Sequence, residues 1–70
     1  MNAYVKLKDI DHAIFVESVN TIKTECNTNG EKKEIKDFKE FSFYGNYYFI
    51  FVGKNILHAW GHKIEYVLFV

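Results

Sequence analysis

Residues 41–53 read FSFYGNYYFIFVG, thirteen positions without one charged side chain, and the way this run folds decides the architecture of the whole chain. Tyr47–Val52 contains only aromatic and β-branched residue types, which fit a pleated, half-buried surface. The Gly45-Asn46 pair in front of it is a two-residue hairpin signal, joining it to a strand at Phe41–Tyr44. The run is shorter than the roughly 18 apolar residues a membrane-crossing helix needs, and Gly45-Asn46 interrupts it, so no membrane span is expected.

Beyond the run, Gly53, Lys54 and Asn55 form a short turn and Ile56–Trp60 a further strand. Gly61-His62 turns the chain again, and Lys63–Val70 alternates for long enough to make a last strand. These four strands predict a C-terminal antiparallel meander. Toward the N-terminus, Val5 and Leu7 alternate with Tyr4, Lys6 and Lys8, the pattern of a half-buried strand, and Asp9 to His12 form a polar turn. Ala13–Cys26 reads as one long strand or two. Ile14 and Val16 share a face, but Val19 falls opposite Ile22, which requires a bulge or bend near Ser18–Asn20.

Residues 28–41, TNGEKKEIKDFKEF, admit two readings. Ile35, Phe38 and Phe41 recur every three residues and Thr28 with Glu31 has capping-box spacing, both of which suit a short helix. Gly30 in the first turn and the like charges Lys32 and Lys36 suit an irregular strand or loop instead. The fold class expected is mainly β: residues 1–70 as one domain, a small curved antiparallel sheet or open barrel containing the C-terminal meander, with an α+β variant carrying one short helix near residues 30–40.

Seventy residues bury only about 60% of the surface of their unfolded chain, so a domain this small calls for a further support. A single cysteine, Cys26, cannot form an intrachain disulfide, and it points to a reducing, cytoplasmic setting. No secretory signal is read in the charged N-terminal residues. Self-association through the aromatic strands is therefore the expected support. Nine lysines balance nine acidic residues and arginine is absent, which argues against polyanion binding and against bidentate readout of duplex DNA. Missing Arg, Pro and Gln beside abundant Lys, Asn, Ile, Phe and Tyr fits an AT-rich coding bias, as in genes of phage-like elements.

The charges and aromatics are segregated. Residues 1–37 hold 13 of the 18 charges and residues 38–70 hold 11 of the 13 aromatics, so the second half supplies whatever surface is available for recognition. Within Tyr47–Val52 both alternating sets are apolar, and the last strand repeats this with Ile64, Tyr66, Leu68 and Val70 against Glu65, Val67 and Phe69. An antiparallel sheet usually wets one face, so two apolar faces each require cover, and a chain of this length is hard pressed to supply both.

No motif for catalysis is present. His58 and His62 are four apart, a metal-site spacing on a helix, but strand and turn character around Gly61 removes the alignment, even with His12 or Cys26 as a third ligand. Cys26 has no nucleophile signature around it, the carboxylates define no cleft, and the single glycines at 45, 53 and 61 punctuate turns instead of cradling phosphate. No metal, cofactor or catalytic residue is therefore assigned, and a non-enzymatic role is expected.

Interface anchors are drawn mainly from Tyr and Trp, and the partner-binding candidates are Tyr44, Tyr47, Tyr48, Trp60, Tyr66 and Phe69. The function expected is binding of another protein through an aromatic β surface, with a homodimer through the same strands, as in an accessory or inhibitor protein of a phage-like element. The alternative is a single-stranded nucleic-acid binder that stacks bases on the tyrosines and Trp60 beside Lys54 and Lys63.

Overall fold

A computed structural model describes residues 1–70 throughout. Period-two patterning prevails along most of the chain, giving seven strands: β1 (Ala3–Leu7), β2 (Ala13–Val16), β3 (Thr21–Cys26), β4 (Lys32–Ile35), β5 (Tyr47–Val52), β6 (Ile56–Trp60) and β7 (Ile64–Phe69). They build two antiparallel sheets, one of three strands in the order β2-β1-β7 and one of four in the order β4-β3-β5-β6. The mainly β, antiparallel class holds, as two sheets that do not close into a barrel. No helix is long and apolar enough to cross a membrane.

The chain changes sheet at two corners. Between β2 and β3, Ser18 takes φ 53°, a left-handed conformation that re-phases the chain so that Val16, Val19 and Ile22 all become buried. Val19 N–H donates to the Met1 carbonyl at 2.6 Å and Ser18 N–H to Asn2 Oδ1 at 2.9 Å, pinning this corner to the start of β1. Between β6 and β7, a 3-10 turn at Gly61–Lys63 makes the second crossing.

The expected meander is thereby corrected. Its middle pair forms as the hairpin β5–β6, with Tyr48 opposite Trp60 and Val52 opposite Ile56. Phe41–Tyr44 is not a strand, because β5 already pairs with β3 on one edge and β6 on the other and has no edge left to offer. The Gly45-Asn46 turn does form, closed by Tyr47 N–H donating to the Tyr44 carbonyl at 3.1 Å. The last strand leaves β6 altogether and pairs with β1 in the other sheet.

The short helix near residues 30–40 is likewise replaced. Lys32–Ile35 pairs with β3, placing Ile35 opposite Ile22, and only a 3-10 turn follows at Phe38–Glu40. Its cap is Asp37, whose Oδ1 accepts from Lys39 N–H at 3.2 Å. The three-residue spacing of Ile35, Phe38 and Phe41 reflects one strand residue and two from the connection, all packed against the same core.

That core contains Ala3, Val5, Val16, Val19, Ile22, Phe49, Phe51, Ala59 and Ile64. Phe41 bridges the sheets: its ring lies 5.6 Å from Phe49 and 6.0 Å from Phe51 on one side and 5.6 Å from Phe69 on the other. The accessible surface, 4534 Å², matches the roughly 4,600 Å² expected of a folded monomer of this mass, so the exposed apolar groups lie on a closed fold.

Candidate functional site

Inward residues of the four-stranded sheet are Ile22, Phe49, Phe51 and Ala59, so the alternate positions form its outer face. Register sets them in three rows. Glu34, Lys23, Ile50 and His58 make one; Lys32, Glu25, Tyr48 and Trp60 the next; Thr21, Val52 and Ile56 the third. The β5–β6 side of the face is aromatic and aliphatic, and the β3–β4 side carries charges of both signs.

At the centre of the apolar side, the rings of Tyr48 and Trp60 meet edge-on with centroids 4.7 Å apart at 68°. Directly opposite residues on paired strands are close enough for such contact, and the edge-on arrangement suits the ring quadrupoles. The Tyr48 hydroxyl lies 3.1 Å from His58 Nδ1, which holds the phenol in place, and the His62 ring lies 6.0 Å from Trp60. Trp60 remains 41% exposed and Ile56 61% exposed.

On the charged side one ion pair closes across the strands, and a second lies at the strand edge. Lys32 Nζ lies 3.5 Å from Glu25, and Lys33 Nζ lies 3.0 Å from Glu31, which raises the Lys33 pKa. A shallow groove of about 580 Å³ runs over this face between Lys23, Glu25, Lys32 and Glu34 on one side and Tyr48, Ile50 and His58 on the other.

The six residues expected to bind a partner are not brought to one place. Tyr48 and Trp60 are together. Tyr44 is 60% exposed on the turn before β5, its ring 5.8 Å from that of Tyr47. Tyr47 is half-buried and stacks on Phe49 at 6.2 Å, forming part of the core wall. Tyr66 stands on the outer face of the three-stranded sheet, opposite Lys6. Phe69 points inward, stacked on Phe38 at 5.0 Å.

Tyr66 and Phe69 fall on opposite faces by simple alternation, whereas the split of Tyr66 from Ile64 has a local cause. Lys6 pairs with Tyr66 but Leu7 with Ile64, so Glu65 is an extra residue that reverses the alternation. Ile64, Val67 and Phe69 then share the interior while Tyr66 and Leu68 face out. Ile56 and His58 join Trp60 by simple alternation along β6, a signal legible in the sequence. Tyr4 and Phe15 are exposed on the three-stranded sheet with ring centroids 5.0 Å apart, paired across the polar turn at Asp9–His12, and were not among the expected partner-binding residues.

Cys26 is buried beside the Thr28 hydroxyl, 3.1 Å from its Sγ, and Asn46 Nδ2 approaches at 3.7 Å. Hydrogen bonds from the Thr28 side chain, then from the Thr28 and Asn29 backbone, hold its thiol below the usual range. No three His, Cys, Asp or Glu side chains are grouped as metal ligands. No family model matches this chain, nor does any curated protein or solved structure.

Proposed function

We propose that this chain is a small non-enzymatic protein-binding domain whose contact surface is the outer face of β5 and β6, with Trp60 and Tyr48 as its anchors. The observation that supports the reading is exposed Trp60 set edge-on against half-buried Tyr48 at 4.7 Å, flanked by Ile50, Val52 and Ile56 and bordered by the charged rim of β3 and β4. An apolar centre with a polar rim is the anatomy of a protein interface, and Trp and Tyr are the residues whose truncation there costs most. An accessory or inhibitory role in the cytoplasm fits the small size, the unpaired thiol and the balanced charge.

The same pair is also a stacking platform for unpaired bases. That reading is less well supported, because single-strand grooves are positively charged and the lysines it would use stand against acids, Lys54 at 3.2 Å from Glu17, Lys63 at 3.6 Å from Asp9 and Lys32 at 3.5 Å from Glu25. Capture from the native host with wild-type and Trp60→Ala chains tests the proposal. A protein retained by the wild type and lost with the variant supports it. Capture that ignores Trp60, or salt-sensitive quenching of Trp60 by an oligonucleotide, refutes it.

A further inference from the structure

We infer that the outer face of the three-stranded sheet is a self-association surface, on which two copies of this chain pack face to face as a symmetric dimer. This face lies on the other sheet from Trp60, and the inference stands whether or not the Trp60 surface binds a partner.

Five of the nine large apolar side chains left exposed belong to this one face: Tyr4 at 38%, Phe15 at 39%, Tyr66 at 46%, Leu68 at 53% and Val70 at 60%. Register makes them contiguous. Tyr4 sits between Phe15 and Leu68, Tyr66 lies one row along, and Val70 is tied to Asn2 by two backbone hydrogen bonds of 2.8 and 2.9 Å. The charged residue within the patch, Lys6, is turned aside: its Nζ donates to the Leu7 carbonyl at 2.7 Å and lies 4.0 Å from Glu65, leaving its side chain 15% exposed. The middle of the face is therefore apolar, with the half-exposed Glu65 beside Lys6 at its margin.

Area favours a dimer of modest affinity. With about 200 Å² for a fully exposed aromatic side chain and about 100 Å² for Leu or Val, the five leave roughly 350 Å² of apolar surface in water. Interfaces at the small end of the stable range bury about 600 Å² per partner, a little over half of it apolar, or about 340 Å². The patch meets that requirement and does not exceed it, so the dimer should dissociate on dilution.

Charge favours a second copy as the occupant. A two-fold interface places the same patch on both sides, so any net charge there would repel itself. Lys6 and Glu65 oppose each other within the patch and leave it without net charge, and nine lysines against nine acidic residues leave no long-range repulsion between whole chains. The four-stranded sheet differs, with a rim of four charged residues, Lys23, Glu25, Lys32 and Glu34, suited to a partner that answers them.

Sedimentation of the intact chain from about 1 μM to about 1 mM, with amide shifts followed over the same dilution, tests the inference. A reversible monomer–dimer equilibrium is expected, with concentration-dependent shifts at Tyr4, Phe15, Tyr66 and Leu68. Leu68→Lys should raise the dissociation constant about tenfold or more, and Trp60→Ser should leave it within about twofold. A monomer across the whole range overturns the inference, as does a dimer whose shifts centre on Trp60 and Tyr48. So does a face that responds only to an added foreign protein. The wild-type dilution decides these outcomes without any variant, so a misfolded substitution does not obscure the answer.

Discussion

Gly61 packs so closely on the Tyr44 carbonyl that a Cβ at residue 61 would overlap its oxygen and come within 3.1 Å of the Phe49 ring. The same carbonyl accepts the hydrogen bond that closes the turn into β5. The corner where the chain leaves the four-stranded sheet is thus built against the turn that starts its central strand. Gly61→Ala should destabilise the fold by about 1–3 kcal/mol, lowering the melting temperature by roughly 4–8 °C per kcal/mol. Gly45→Ala, whose Cβ would meet only the His62 side chain at 3.7 Å, is the matched control and should melt within a few degrees of wild type.

Asn55 holds the two sheets together at the opposite end. Its Oδ1 accepts from Glu17 N–H at 2.9 Å and its Nδ2 donates to the Phe15 carbonyl at 2.8 Å, so one side chain meets both a carbonyl of β2 and the amide just past its end. Asn55→Ala should cost about 1 kcal/mol, since the freed groups are accessible to water. Hydrogen exchange should show faster opening at Glu17 while Phe49 and Phe51 keep their protection.

Trp60 and Phe49 separate recognition from folding. Phe49 is 1% exposed at the centre of the core, and Phe49→Ala should cost about 3–5 kcal/mol, a large part of what a domain of this size possesses. Trp60 is 41% exposed, so Trp60→Ala should lower stability by about 1–3 kcal/mol, less than Phe49→Ala, while weakening partner binding by about 2 kcal/mol or more. Denaturant midpoints and binding titrations of the two variants measure the two effects independently.

Cys26 should make stability depend on alkaline pH. Its folded thiol is held below the ordinary value by the Thr28 hydroxyl first and by the Thr28 and Asn29 amides next. The unfolded thiol keeps its proton to higher pH, so the unfolded state binds more protons and stability rises with pH between the folded and the unfolded value. Lys33, raised by Glu31, has the opposite sign: its contribution is present below the ordinary lysine range and is lost above it. Denaturant midpoints taken from neutrality to just above the usual thiol range should therefore climb in the wild type, and the slope should flatten in Cys26→Ala.

Much of the fold was legible in residue order. The aromatic and β-branched run Tyr47–Val52, the turn at Gly53–Asn55 and the phase mismatch between Val19 and Ile22 each encode a local choice, and they produced β5, the β5–β6 hairpin and the bend at Ser18. Of the candidate site, Tyr48 and Trp60 were legible because they belong to one hairpin, whose turn sets their register directly. What was not legible is the bulge at Glu65, which exists only in the pairing with β1 and moves Ile64 to the interior beside Val67 and Phe69 while Tyr66 faces out.

The amino-acid sequence alone determined that this chain is a β protein with an excess of apolar pleated surface, since alternation and turn chemistry act between neighbours. Only the tertiary structure decided where that excess lies. Strand partners are chosen by which edges are free and which faces reach the core, so Lys63–Val70 joined β1 at a distance and carried its outward residues onto a second face. Periodicity within a strand cannot carry that information, because it is a property of pairs of strands far apart in the chain.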